Sequence, residues 1–187
     1  LINGEKKIGV TALFGEKNYD RGDIIAYKQT EIEYPLKVKE AIKINNQNYK
    51  SLSYDIALKI AQDISLDGSK QNEEDATYSI WRDELDYLID WTMSSEQILR
   101  TIHALGEPYF GAITQEEKHK IVIDDAELLQ DHKLELRHCG KVLFIDKGFP
   151  VVICGSGLLK ITKARIINGC GQFENYLPLK RLRIRFH

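Results

Sequence analysis

The chain has 187 residues, 43% hydrophobic and 29% charged, with 26 Lys and Arg against 28 Asp and Glu for a formal net charge of −2. That length suits one domain or two small ones with a real buried core, and the balance of charge argues against a whole-surface polyanion partner while leaving local basic patches open. No stretch approaches the roughly 18–20 apolar residues of a membrane span and no signal-peptide pattern is visible, so a cytoplasmic location is expected.

In chain order, "LINGEKKIGVTALF" already has the pattern of a sheet interior at Leu1, with little lead-in, as expected of a piece of a longer protein. Residues 7–14 and 23–29 are predicted strands flanking a polar turn that carries Asp20 and Asp23. Both aspartates suit a turn for local reasons, because Asp hydrogen-bonds nearby backbone amides and the adjacent Gly tolerates positive φ. "YPLKVKEAIKI" follows as a short helix with Pro35 in its first turn. A second helix is predicted over 53–67, with Ser53 as N-cap, Ile56, Ile60 and Ile64 as a stripe covering a sheet, and Gly68 as the stop.

Residues 69–76 are polar, a linker or exposed loop, and "TYSIWRDELDYLIDW" after them is dense in aromatics. The next helix carries its own punctuation: Ser94 and Gln97 form a capping box, Ile98, Ile102 and Leu105 make the apolar stripe, Gly106 ends it and Pro108 blocks continuation. His103 falls on the side of that helix expected to face solvent. From "GAITQ" onward the period changes to short strands divided by Gly-containing turns at Gly140, Gly148 and Gly155 to Gly157, which a small closed barrel of about five strands would satisfy. "GSG" at 155–157 lies between strands with no helix after it, so it is a hairpin turn rather than a phosphate loop.

Cys139, Cys154 and Cys170 are odd in number and widely spaced, which fits buried free thiols better than a disulfide framework or a zinc ribbon, and no metal site is expected. The closing "KRLRIRFH" is a basic cluster, either solvated or able to meet phosphate groups.

Three stretches together resemble one family. "GVTALFGEKNYDRGDII", "IDWTMSSEQILRTIHALGEPYFGAIT" and "VVICGSGLLKITKARIING" resemble, in order, segments of the formyltransferases related to methionyl-tRNA formyltransferase. "SIWRDELDYLIDW" and "LPLKRLRIRF" are most similar to the members that N-formylate dTDP-linked amino sugars. The resemblance implies an α/β fold: residues 1–68 as the C-terminal part of a Rossmann-like formyltransferase domain, 69–107 as a linker with an aromatic segment and a helix, and 108–187 as a small OB-like β-barrel.

It also implies a function: transfer of a formyl group from N10-formyltetrahydrofolate to the amine of a nucleotide sugar. The alternatives are methionyl-tRNA formyltransferase, whose barrel would bind tRNA, and a non-catalytic binding or oligomerisation fragment. Family members use an Asn, a His and an Asp, and Asp20 stands where the family has that Asp; the chain begins after the Asn-x-His motif and is expected to be inactive alone. Glu16, Lys17, Asn18 and Tyr19 border the pterin in the family, acting through backbone groups.

Trp81 and Arg82 suit a nucleotide, as Trp stacks on a base and Arg forks onto a diphosphate, or else Trp81 plugs the junction between domains with Arg82 paired to an acid. Tyr109 is a further stacking candidate, and Trp91 is expected to be a core staple. The first two strands would leave a sheet incomplete, so a homodimer, or a separately supplied segment, is the expected remedy.

Overall fold

A computed structural model describes residues 1–187, and its contacts divide the chain into one unit of Glu5–Glu33 and Glu40–Trp81 and another of Leu1–Gly4, Tyr34–Lys39 and Arg82–His187. In the first unit, β1 (Lys7–Leu13) pairs antiparallel with β2 (Ile24–Glu31), from Lys7 opposite Glu31 to Leu13 opposite Ile24 with an irregularity at Ala12/Leu13. These are the two strands anticipated around the aspartate turn.

The helices anticipated over 34–44 and 53–67 are instead a single helix, α1 (Val38–Ala61). No Gly or Pro interrupts residues 38–61, so nothing stops propagation through Asn45 and Asn46, and Ser53 is interior rather than an N-cap. The covered stripe also differs. It runs through Val38, Ala41, Asn48 and Leu52, while Ile56 is half-buried and Ile60 and Ile64 are 58% and 49% exposed. Asn48 accepts a hydrogen bond from Thr30 Oγ1 at 2.9 Å, so a polar residue occupies a position that helical spacing alone assigns to an apolar one.

The end of α1 is set by a Schellman motif, not by Gly68. Asp63 takes φ +52°, its N–H reaches the carbonyl of Ile60, and the N–H of Ile64 reaches that of Lys59. Gly68 has another use: a Cβ there would lie 2.7 Å from the Asp23 side chain and 2.9 Å from the Phe14 ring. No helix is long and apolar enough to cross a membrane.

In the second unit, α2 (Ser95–Leu105) has the anticipated capping box between Ser94 and Gln97, with Gly106 as C-cap. Ile98, Ile102 and Leu105 are buried, as the spacing requires. The strands are β3 (Ala112–Glu116), β4 (His119–Leu129), β5 (Val142–Asp146), β6 (Phe149–Ile153), β7 (Leu158–Ile167) and β8 (Phe173–Asn175), in the order β3-β4-β7-β6-β5 with β8 also on β7.

The expected closed barrel is not formed by these ladders: β3 and β5 do not pair, and the sheet has six strands. The C-terminal residues instead bond to both ends of it. Val142 N–H donates to the Ile184 carbonyl and Phe186 N–H to that of Gly140, while Gln115 and His187 exchange two bonds at 2.9 Å. Arg183, Arg185 and His187 face outward between buried Ile184 and Phe186, so the basic tail is a strand-like plug with a solvated side. Trp91 is buried as expected, stacked on Phe186 at 5.8 Å and donating from Nε1 to Thr114 Oγ1 at 2.9 Å.

The 155–157 turn is indeed a hairpin connection from β6 to β7. Arg137 donates to the carbonyls of Cys154 and Gly157 and grips Asp131 with two bonds of 2.7 Å, and Asp131 accepts the N–H of Gly157. A Cβ on Gly157 (φ +76°) would come 2.2 Å from Ser95 Oγ, so no side chain fits there. Of the three free thiols only Cys154 is buried, its thiol pushed up to about 12 chiefly by burial; Cys139 is half-buried and Cys170 exposed, against the expectation of three buried ones.

His103 is the clearest correction. It is 7% exposed, with Nε2 3.0 Å from Asp125 Oδ1, and Lys37 Nζ meets the other oxygen of Asp125. The ladder shifts register on both sides of Asp125, a local irregularity in β4 at the residue whose carboxylate meets the helix. Burial pushes the Asp125 carboxyl up, but hydrogen bonds and charge from Lys37 and His103 more than offset it, leaving it below the ordinary 3.8.

Two predictions follow from this packing. Phe186→Ala should lower the unfolding free energy by about 3–5 kcal/mol in urea titration, because a fully buried ring is removed from the stack. Asp125→Asn should cost about 1–3 kcal/mol at neutral pH. A carboxylate depressed in the fold contributes its stability above 3.8 and loses it as pH falls below that value, so the wild-type advantage should shrink toward zero in acid. An advantage that persists undiminished at pH 2 would contradict the ion-pair account.

Candidate functional site

The loop from Phe14 to Asp23 closes on itself through Phe14 N–H to the Asp23 carbonyl at 3.0 Å. Gly22 is needed for that closure, since a Cβ there would meet the Phe14 carbonyl oxygen at 1.7 Å. Asp20 sits at the tip in the left-handed region, φ +57°, a conformation Asp tolerates better than most residues. Asp23 is a strand-start residue whose backbone carries the loop closure, which is the turn role its sequence position suggested.

What holds Asp20 comes from the segment previously described only as polar. Gln71 donates both hydrogens of its amide, to the carbonyls of Asp20 at 2.8 Å and Gly22 at 2.7 Å. Arg21 pairs with Glu73, and the Asn72 side chain caps the short 3₁₀ turn Glu73–Asp75 by accepting from Glu74 N–H. The chain then continues without regular structure through residues 76–83.

Together these segments enclose an open concavity of about 880 Å³. Tyr19, Asp20 and Arg21 form one wall, and Gln71, Glu73 and Tyr78 are prominent on the other. The lining is acidic on balance, with Asp20, Glu73 and Asp75 against Arg21. The Asp20 carboxylate faces solvent, where a ligand can reach it.

Of the residues singled out in the sequence, Tyr19 and Asp20 share this concavity. Glu16, Lys17 and Asn18 are exposed on the same loop but do not line it. Trp81 is 99% exposed, and Arg82 is exposed and makes no ion pair. Tyr109 is exposed beyond α2, in the other unit. Gln71, Glu73 and Tyr78 were missed, because nothing in local periodicity marks a polar loop that folds back onto a turn 50 residues earlier. No group of three or more His, Cys, Asp or Glu is placed to hold a metal ion.

Residues 83–170 match the model described as "Formyl transferase, C-terminal domain". The methionyl-tRNA formyltransferase of Ralstonia nicotianae is 27% identical over 185 residues, covering 95% of this chain and 55% of the relative. That of Carboxydothermus hydrogenoformans is 31% identical over 160 residues, covering 84% and 50%. The chain thus spans about half the length of these curated relatives.

Among solved structures, HypX from Aquifex aeolicus in complex with tetrahydrofolic acid superposes with a TM-score of 0.68 at 19% identity, covering 93% of this chain and 30% of that one. The N-formyltransferase from Helicobacter canadensis, in complex with folinic acid and dTDP-3-aminofucose, gives 0.64 at 18% identity, covering 86% and 56%. At such identities the likeness is one of fold. Residues 83–170 thus carry the formyl transferase C-terminal domain, and the chain is similar to methionyl-tRNA formyltransferases along most of its length.

Proposed function

We propose that this chain is part of an enzyme that transfers a formyl group from N10-formyltetrahydrofolate to an amine, with Asp20 in the catalytic set. The observation that carries this reading is Asp20 at the wall of an open concavity, in a chain that carries the formyl transferase C-terminal domain. The volume of about 880 Å³ lies within the span of ligand pockets.

The chemistry is acyl transfer. The amine lone pair attacks the formyl carbon, a new C–N bond forms, the bond from that carbon to N10 breaks, and one proton leaves the amine. The tetrahedral oxyanion needs hydrogen-bond donors, which the family resemblance assigns to an Asn and a His. No Asn-x-His occurs in residues 1–187, so those groups come from elsewhere in the working enzyme. Asp20 orients the imidazole and stabilises the positive charge that develops as the amine proton is taken.

For the acceptor we favour a nucleotide-linked amino sugar. The acidic lining suits an approaching ammonium, and Trp81 and Arg82 are free to meet a base and a diphosphate. Methionyl-tRNA is the second reading, favoured by the names of relatives 27–31% identical to this chain and by the outward Arg183 and Arg185.

The enzyme that carries this chain should formylate a dTDP-amino sugar and leave charged initiator tRNA unmodified. Asp20→Asn should fold normally yet lower kcat by about 10²–10⁴. Transfer to tRNA alone would give the case to the second reading, and near-wild-type turnover of Asp20→Asn would remove Asp20 from the mechanism.

A further inference from the structure

No hydrogen bond or ion pair within the chain holds the Asp20 carboxylate. Its direction is therefore set by the backbone alone. That backbone stands at φ +57°, which a residue with a Cβ keeps only where the surroundings enforce it. The bond from Phe14 to Asp23 closes the base of the loop, not its tip. At the tip, the carbonyls of Asp20 and Gly22 are held by the Gln71 amide, at 2.8 and 2.7 Å.

Gln71 is itself anchored on both sides. Before it, Ile24 and Ser69 exchange two backbone bonds of 2.7 and 2.9 Å. After it, the Asn72 side chain caps the turn Glu73–Asp75. An amide nitrogen carries two donors in one plane, so it can bridge two carbonyls of one turn. It does so without charge, whereas an ammonium or guanidinium at this place would pair with the carboxylate it has to present. The Arg21–Glu73 pair spans the same two segments, but its side chains are 47% and 62% exposed, and such pairs hold little.

We propose that Gln71 is the positioning residue for Asp20: by bonding the carbonyls on either side of Arg21, it aims the carboxylate at the imidazole that Asp20 orients. This rests on the reading of Asp20 given above. Gln71 acts on the reacting atoms only through Asp20, so its loss should slow turnover without weakening the binding of either substrate.

The test is a double-variant cycle on kcat and KM in the enzyme that carries this chain. It compares Asp20→Asn, Gln71→Met, Gln71→Glu and the double variant of Asp20→Asn with Gln71→Met. Met and an ionised Glu match glutamine in length and donate no hydrogen bond. Gln47→Met, exposed on α1, is the control. Gln71→Met and Gln71→Glu should each lower kcat about 10- to 100-fold, the scale of a small misplacement of a catalytic group, with KM within about twofold. With Asp20→Asn already present, Gln71→Met should slow turnover no further, because residues that act as a unit are not additive. Gln71 lies on an exposed segment, so the fold should survive, which circular dichroism verifies. Should Gln71→Met unfold, Gln71→Asn, whose amide is one methylene too short to reach both carbonyls, carries the same cycle.

Wild-type kcat in Gln71→Met beside a slowed Asp20→Asn overturns the positioning role and leaves the formyl-transfer reading standing. An equal loss in both backgrounds, or a loss in KM, overturns it as well, because Gln71 then touches substrate or supports the fold at large. Wild-type turnover in Asp20→Asn removes Asp20 from the mechanism and the positioning role with it.

Discussion

The stack of Trp91 on Phe186 is the contact on which the sheet-bearing unit depends. Sheet edges are open rows of backbone donors and acceptors, and an uncovered pair of them invites misassembly. Here β3 and β5 never meet, so the ladders by themselves leave both ends unpaired. The last four residues bond to each end in turn, and what keeps them seated is a ring 1% exposed against an indole whose N–H is held by Thr114. Thr114 then donates to the His187 carbonyl, so one hydroxyl links the core tryptophan to the chain's last residue. Gly140 allows the approach: a Cβ there would lie 2.1 Å from the Phe186 carbonyl oxygen.

Features that follow from local rules were legible in the sequence. The capping box of α2, its apolar stripe, the two strands around the aspartate turn and the Gly-bearing hairpins each depend on a few adjacent residues. What stayed hidden depended on contacts between distant ones. In α1 the covered face passes through Asn45 and Asn48, whose polarity breaks the apolar period, while a tempting Ile56, Ile60, Ile64 stripe runs onto the exposed side. His103 carries no local sign of burial, because its partner Asp125 is 22 residues away at a register irregularity that strand patterns do not reveal. The barrel failed for the same reason: edge satisfaction was anticipated, but by a strand-to-strand ladder rather than by a tail.

The candidate site divides likewise. Asp20 was identified through family resemblance, since an aspartate in a turn is ordinary on spacing alone. Its supporting residues were not identifiable, because Gln71 acts on backbone carbonyls of the loop, and a backbone acceptor leaves no trace in sequence. The support is nonetheless specific. An amide with both hydrogens engaged fixes two carbonyls of one loop at once, and so fixes the φ +57° turn that carries the carboxylate.

The two units differ in how much they bury, and the difference bears on function. Nearly all the fully buried large side chains, from Ile98 through Phe186, belong to the sheet-bearing unit. The unit that carries Asp20 has a two-stranded ladder, and such a hairpin is at best marginally stable without further cover. Its face around Tyr27, Leu58 and Ile64 is open, and the cleft beside Asp20 is built of loops rather than of strand interiors. Loops with few buried contacts open at low free-energy cost. Gln71, bonded to the carbonyls of Asp20 and Gly22, and Arg21, paired with Glu73, tie the polar segment to the loop that carries the carboxylate, so what the hairpin lacks in buried cover is offset at Asp20 by polar bonds.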